Sequence, residues 1–409
     1  MTIFFTIEVK SKYIGISDTL SRLYKAYCLG ISLSYSYVHQ PFFCRRSLPI
    51  SMFDRIIRKI SGFNDGKSSR FIKENDLFVA NFLGMGDSEC DSDFDARPKF
   101  TVDIARLLDD HYFQDLDHFK TKIEDSIPSI NSIIINFLVT DEIYNDQVSG
   151  NLERLLGSTR LEDCHASVVG SSFKEFAATR YWKARSRQPI SLSFDSNKIR
   201  LLIHIRRGDR AWIELKDKIL LMHGNEFLVI DQNVNSLQNS DTQSLSIASI
   251  PVRFRKPVSI EVIAQVFEQL SLDHGRAMFS IIVISDGYKR AYQELSHAIR
   301  SNRIQVSQSD RKQIDVFFRQ QQKEIVEFAK HINAELILGE DSKMKFMKSV
   351  HAVICADFIV NTTGGFTKLN RVFRNQDPPS LFLSTSDLTP QKLGVFLAEA
   401  RRFRKPDEI

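Results

Sequence analysis

Two α/β domains facing each other across a cleft are what this sequence predicts, and three observations predict them. A chain of 409 residues is long for a single core, since domains usually run to ~100–200 residues. From about Lys198 onward, short apolar runs alternate with amphipathic stretches, the pattern of a parallel sheet covered by helices. Near Arg185–Asn197 the segment ARSRQPISLSFDSN interrupts a helical pattern with Pro189 before the next apolar run. The expected domains are therefore 1–190 and 191–409, with the last helix returning to pack on the N-terminal one.

In the second domain, buried strands are expected over 198–205 (KIRLLIHI), 279–285, 335–340, 357–363 and 380–384. Helices are expected over 259–273, 288–301, 341–355 and 389–403, each opening near a Ser, Thr, Asp or Gly that can cap it. In the first domain, 4–10 reads as a strand, 17–29 as a helix after a glycine turn, 31–39 (ISLSYSYVH) as an alternating strand and 131–139 as a buried strand. Residues 87–125 hold 12 acidic against 5 basic residues, with helical spacing in DIARLLDDHYFQDLDHF. There is no internal repeat and no low-complexity tract.

Composition narrows the function classes. With 43% hydrophobic and 26% charged residues, 17 Gly and 11 Pro, the chain is globular rather than disordered or collagenous. No run approaches the ~18–20 apolar residues of a membrane span, and MTIFFTIEVKSKYIG meets Lys10 and Lys12 too early for a signal peptide. Cys28, Cys44, Cys90, Cys164 and Cys355 show no CxxC spacing, so neither a disulfide framework nor a zinc knuckle is expected, and a reducing, cytoplasmic setting is the simplest reading. Residues 1–195 carry 24 Lys+Arg against 26 Asp+Glu, and the remainder 31 against 24. A basic second half suits a phosphorylated small molecule; nucleic acid would want a denser Lys/Arg stripe with interleaved aromatics.

Four segments carry candidate chemistry. His204-Ile205-Arg206-Arg207-Gly208-Asp209 follows an apolar strand directly, and ligands of open α/β sheets bind beyond the carboxyl ends of strands. Arginine grips phosphate oxygens with two prongs and neutralises a departing diphosphate. Alternation puts Arg206 on the side of His204, leaving Arg207 to lock the loop. The embedded Arg-Gly-Asp would need an exposed loop on a secreted protein to act in adhesion. Ser285-Asp286-Gly287-Tyr288 again joins a strand to a helix, where Asp286 either accepts from a nucleotide or caps the helix. Asn361-Thr362-Thr363-Gly364-Gly365-Phe366-Thr367 is a glycine turn before a helix, able to bring backbone N–H groups to a phosphate but matching neither the Walker A nor the dinucleotide fingerprint. Gly15-Ile16-Ser17-Asp18 joins the first strand to the first helix; Asp18 is an N-cap or a group facing substrate from the other domain.

Together these segments resemble the fucosyltransferase superfamily of α1,2-, α1,6- and protein O-fucosyltransferases and rhizobial nodulation enzymes. HIRRGD is similar to its first motif, VISDGY (283–288) to its second, FIVNTTGGFTKLNRVF (358–373) to its third, and GISDTL (15–20) lies where the family has a glycine loop. The resemblance implies a GT-B fold of two Rossmann-like domains, the N-terminal one on the acceptor side. It also implies inverting, metal-independent transfer of fucose from GDP-fucose to a hydroxyl of a glycan or glycoconjugate, with no cofactor. Carried over, Arg206 holds the β-phosphate, His204 and Asp286 contact the nucleoside, Thr362, Thr363 and Gly364 donate to phosphate, and Arg207 and Asp209 organise the loop. Gly15, Ser17, Ser285, Gly365 and Phe366 fall in the same motifs and are expected at the substrate. Glu214, ten residues after His204 as in the α1,6 relatives, and Asp18 are the candidate bases.

The family pattern is not met everywhere: the second motif has one acid where some relatives have two, Gly364-Gly365 replaces Ser or Phe, and Ser17 replaces a glycine. Two other readings of the site remain open, another nucleotide sugar on the same scaffold and a non-catalytic nucleotide-sugar or glycan-binding module. The Asp91-Ser92-Asp93-Phe94-Asp95 run lacks the glycine and Glu of a Ca²⁺ loop, with Ala96 and Val102 at those positions, and reads as a solvated acidic loop rather than a metal site.

Overall fold

β1 (Thr2–Lys10) is nine residues rich in β-branched and aromatic side chains, and it organises the first of two parallel sheets. The structure, a computed structural model, describes residues 2–10, 16–40, 44–45, 80–86, 97–109, 115–128, 132–161, 164, 167–207, 210–223, 226–231, 257–339, 342–362, 366–374, 379–383 and 389–402. Two units emerge, residues 1–189 with 368–376 and residues 190–367 with 377–409.

In the first unit β1 pairs in parallel with β2 (Ser36–Tyr37) and β3 (Cys44–Arg45) on one side. On its other side it pairs with β5 (Ser132–Val139), and β4 (Lys99–Asp103) follows at the edge. Helix α1 (Ile16–Ser32) presses onto β1 closely enough that a Cβ at Gly30 would run into the Phe5 ring. That contact explains a glycine inside a helix despite its entropic cost. Short helices α2 (Ile104–Asp109) and α3 (Leu116–Asp125) follow β4, and α4 (Asp146–Leu156) follows β5. The long α5 (Val168–Arg187) buries Phe173, Ala177 and Tyr181. A segment from far along the chain completes this unit: α10 (Leu369–Phe373) sets the Phe373 ring 5.1 Å from Tyr181, and its carbonyl accepts from Trp182 Nε1 at 3.0 Å.

In the second unit the parallel strands are β6 (Ile199–Ile205), β10 (Phe279–Ser285), β11 (Glu335–Leu338), β12 (Phe358–Asn361) and β13 (Ser380–Phe382), in the order β11-β10-β6-β12-β13. In sequence terms this is 3-2-1-4-5, the Rossmann order, whose direction reverses between β6 and β12. Leu201, Ile203, Ile205, Ile281, Val283 and Val360 pack on one face with Ile263 and Phe267 of α6 (Ile260–His274), Phe328 of α8 (Gln308–His331) and Phe396 of α11 (Pro390–Arg402). Their alternates Leu202, Ile282, Ile284 and Ile359 are buried too, as are Val350, Val353 and Ile354 of α9 (Lys343–Cys355). Burial on both faces is why these strands read as continuous apolar runs. An antiparallel meander, β7 (Trp212–Glu214), β8 (Lys218–His223) and β9 (Glu226–Asp231), precedes α6, and α7 (Lys289–Arg300) follows β10.

Several expectations need correction. The segment 31–39 is not a strand: α1 runs on to Ser32, Ser34 turns at φ 65°, and only Ser36–Tyr37 pair with β1. The alternating burial of Leu33 and Tyr35 is real, but it comes from a chain wrapping over the core. Strand β4 is absent from the expected elements, whereas the helical spacing of 103–119 corresponds to α2 and the start of α3 among the described residues. α8 is absent from the expected elements because its apolar positions Ile314, Phe318, Ile325 and Phe328 are diluted among charged and Gln residues; a Ser307–Asp310 capping box marks its start. The last helix packs within the second unit, Phe396 lying 6.4 Å from Phe358 and Arg401 pairing with Asp273, so the returning segment is 368–376 instead.

Candidate functional site

The carboxyl ends of β10, β6 and β12 lie side by side, because Ile284 and Asn361 flank His204 in register. In an open α/β sheet the strand-order reversal leaves a crevice at such a point, here between β6 and β12. His204 is 6% exposed and Asn361 0%, and the imidazole Nδ1 lies 2.7 Å from Asn361 Oδ1. The Phe366 ring tilts against the imidazole at 5.7 Å, and Phe346 of α9 backs Phe366 at 6.2 Å.

Beyond His204 the chain is tied to both neighbouring loops. Arg206 N donates to Thr362 Oγ1 at 2.8 Å, and Thr362 N returns a bond to His204 O at 3.1 Å. Arg207 N donates to Asp286 Oδ1 at 2.6 Å. Ser285 Oγ donates to Ile205 O at 2.7 Å and accepts from Gly287 N at 3.0 Å. Gly287 sits at φ 68°, the left-handed region that a side chain disfavours, and this lets its N–H turn back to Ser285. Three segments distant in sequence are thereby held together by backbone-to-side-chain bonds.

The two arginines part company here. Arg207 is 2% exposed; its Nη2 donates to Val258 O at 2.7 Å and its Nη1 to Arg206 O at 3.1 Å. Arg206 is half-buried. The buried guanidinium also reaches its neighbours electrostatically. Glu261 in the first turn of α6 has its carboxyl held below the usual range by its own backbone N–H and the Ser259 hydroxyl, with the Arg207 charge adding to them. Burial pushes the Tyr288 phenol up, an effect that Arg207 opposes, and its hydroxyl donates to Gln321 Oε1 at 3.2 Å.

Of the expected residues, the structure brings together His204, Arg206, Arg207, Ser285, Asp286, Thr362 and Phe366. Glu214 stands on the meander, its exposed carboxylate accepting from Trp212 Nε1 at 2.8 Å and its carbonyl from Gln313 Nε2 at 3.1 Å. Asp18 is an exposed first-turn residue of α1 in the first unit, its carbonyl accepting from Tyr144 OH at 3.3 Å. Gly15, Asp209, Thr363, Gly364, Gly365, the Ser17 side chain and the acidic run 91–95 lie outside the described residues. Among the described residues no group of three or more His, Cys, Asp or Glu is placed to hold a metal ion. No helix among them is long and apolar enough to cross a membrane. A groove of about 630 Å³ between α7 and α8 shares only Tyr288 with the loop cluster, its other walls including Tyr292, Phe318 and Arg319.

Asn361 and Phe346 received no role from sequence. For Asn361 a signal existed: a polar residue ends the apolar run FIVN, where a buried strand terminus has to satisfy it. Phe346 is one of several apolar residues on α9 and carries no such mark.

No family model matches the chain, and no curated protein matches it. Among solved structures, the crystal structure of POFUT1 in complex with GDP-fucose is similar at 11% identity and a TM-score of 0.31, over 92% of this chain and 97% of that one.

Proposed function

We propose that the protein is an inverting, metal-independent glycosyltransferase that takes a nucleotide sugar, GDP-fucose, and moves its glycosyl group to a hydroxyl of a glycan or glycoconjugate. One observation carries this reading: the three motif segments that resemble the fucosyltransferase superfamily meet at the switch point of one parallel sheet, joined through Arg206–Thr362 and Arg207–Asp286. Phosphorylated ligands favour such a point.

The chemistry follows from what each group can do. As the sugar C1–O bond breaks, its electron pair goes to the diphosphate, and the acceptor oxygen bonds to C1 from the opposite face. The leaving charge needs stabilisation more than the acceptor needs a strong base. Arg206 supplies a guanidinium to the β-phosphate, and Thr362, whose oxygen already accepts from Arg206 N, has its hydroxyl proton left to donate. Arg207 stays in the loop as its internal strut. The acceptor proton goes to Glu214 or Asp18 if a side chain takes it at all.

Thermal unfolding with GDP, UDP, GDP-fucose, GDP-mannose or UDP-glucose, each with EDTA, tests the donor. A ligand at 100 times its Kd adds about 2.7 kcal/mol to the native state. The expected outcome is stabilisation by GDP and GDP-fucose alone. Stabilisation by UDP compounds only would replace the substrate, and no response to any nucleotide would overturn the reading.

A further inference from the structure

We infer that Asn361 is a positioning residue: it holds the His204 imidazole in the tautomer that carries its proton on Nδ1 and makes Nε2 the hydrogen-bond acceptor of the ring. What that acceptor serves rests on the nucleotide-sugar reading above; the tautomer itself does not.

An amide oxygen offers only lone pairs, so a ring nitrogen 2.7 Å from Asn361 Oδ1 has to bring the hydrogen. A neutral imidazole has one N–H, and with it on Nδ1 the other nitrogen presents a lone pair. Both backbones are clamped, Thr362 N bonding His204 O at 3.1 Å and Leu383 N bonding Asn361 O at 2.7 Å. With Asn361 fully buried and His204 nearly so, bulk water does not compete for the bond. Phe366 against the ring, with Phe346 behind it, opposes rotation of the imidazole.

The pair bridges β6 and β12, the two strands that bound the crevice, so the strand pairing itself orients the ring. A nucleoside offers its base N–H groups and ribose hydroxyls as donors, and these complement an acceptor nitrogen. The reversed tautomer would meet them with another N–H and lose the bond. Partners one step behind a metal-liganding histidine commonly control binding tenfold or more, and Asn361 stands in the same relation to His204.

The test combines ring ¹⁵N spectra of histidine-labelled protein, recorded above the ordinary imidazole range, with GDP affinity. The His204 signal is identified by its loss in His204→Gln. In the wild type, Nδ1 is expected protonated and Nε2 not. Asn361→Ala should reverse or mix that pattern and raise the Kd for GDP about tenfold with the unfolding transition preserved, whereas Asn361→Asp, which retains an oxygen acceptor, should keep Nδ1 protonated. A wild-type ring protonated on Nε2, an unprotonated Nδ1 in Asn361→Asp, or an Asn361→Ala protein with unchanged GDP affinity would each overturn the inference. Should Asn361→Ala fail to fold, the wild-type and Asn361→Asp spectra decide. If the wild type binds no GDP, the nucleotide reading fails while its ring spectrum still judges the tautomer.

Discussion

The two units both present the carboxyl ends of parallel strands, yet they treat the cations there differently. Beyond β5 in the first unit, Arg22 of α1 is buried against Asp141 at 2.6 Å, and Arg22 and Lys25 both lie over the Tyr144 ring at 4.9 and 5.0 Å. Both cations are committed to the fold. In the second unit Arg207 is committed in the same way, to the carbonyls of Val258 and Arg206, but its neighbour Arg206 is half-buried at the strand-order reversal. A parallel sheet supplies a ligand-competent edge for nothing; whether the edge becomes a site depends on which charged side chains the fold buries and which it leaves partly exposed.

That contrast can be broken most sharply at the adjacent arginines. Arg206→Ala should lower kcat by about 10²–10³ while leaving the melting temperature within a degree or two, as removal of a group acting on developing charge does. Retained activity would remove the distinction between the two edges. In the same assay, Glu214→Gln and Asp18→Asn should lose about a hundredfold in one at most, which would identify the proton acceptor.

Smaller, and opposite in kind, is the effect at the buried cations. Arg207→Ala should destabilise the protein by about 2–4 kcal/mol, since it opens a cavity and leaves the Val258 carbonyl unpaired. It should also weaken GDP binding, because the loop it braces carries Arg206. Arg22→Ala should lower the unfolding midpoint but leave GDP affinity within twofold. Calorimetry on both variants sharpens the comparison, and an Arg22→Ala protein unable to bind GDP would contradict it.

The smallest effect is a pH dependence. Burial lowers the pKa of Lys25, so the folded chain holds that proton less tightly than the unfolded chain. Between the lowered value and the ordinary lysine range the unfolded state binds more protons, and stability rises with pH. Below that window the buried charge costs stability throughout. Lys25→Met should therefore flatten the alkaline rise in denaturant midpoint, and an unchanged profile would show that the ammonium is solvated.

How much of this was legible in sequence differs by element. β6 and β10 were readable because both of their faces are buried, which leaves an uninterrupted apolar run ended by polar residues. The caps of α6 and α9, Ser259 and Ser342, were readable for a similarly local reason: each hydroxyl serves an N–H three residues on. Leu33 and Tyr35 misled, because alternating burial does not distinguish a paired strand from a coil lying on a core. The commitment of Arg207 was half legible, since alternation separates it from Arg206 but says nothing of Val258.

The sequence by itself determined where strands end and which polar residues follow them, because a hydrophobic run and its terminating residues are contiguous in the chain. Only the tertiary structure decided that β12 lies beside β6, that Asn361 meets His204 across 157 residues of sequence, and that 368–376 belongs with the first unit. Strand order and such long-range pairings follow from how whole faces bury one another, and no local window of residues contains that information.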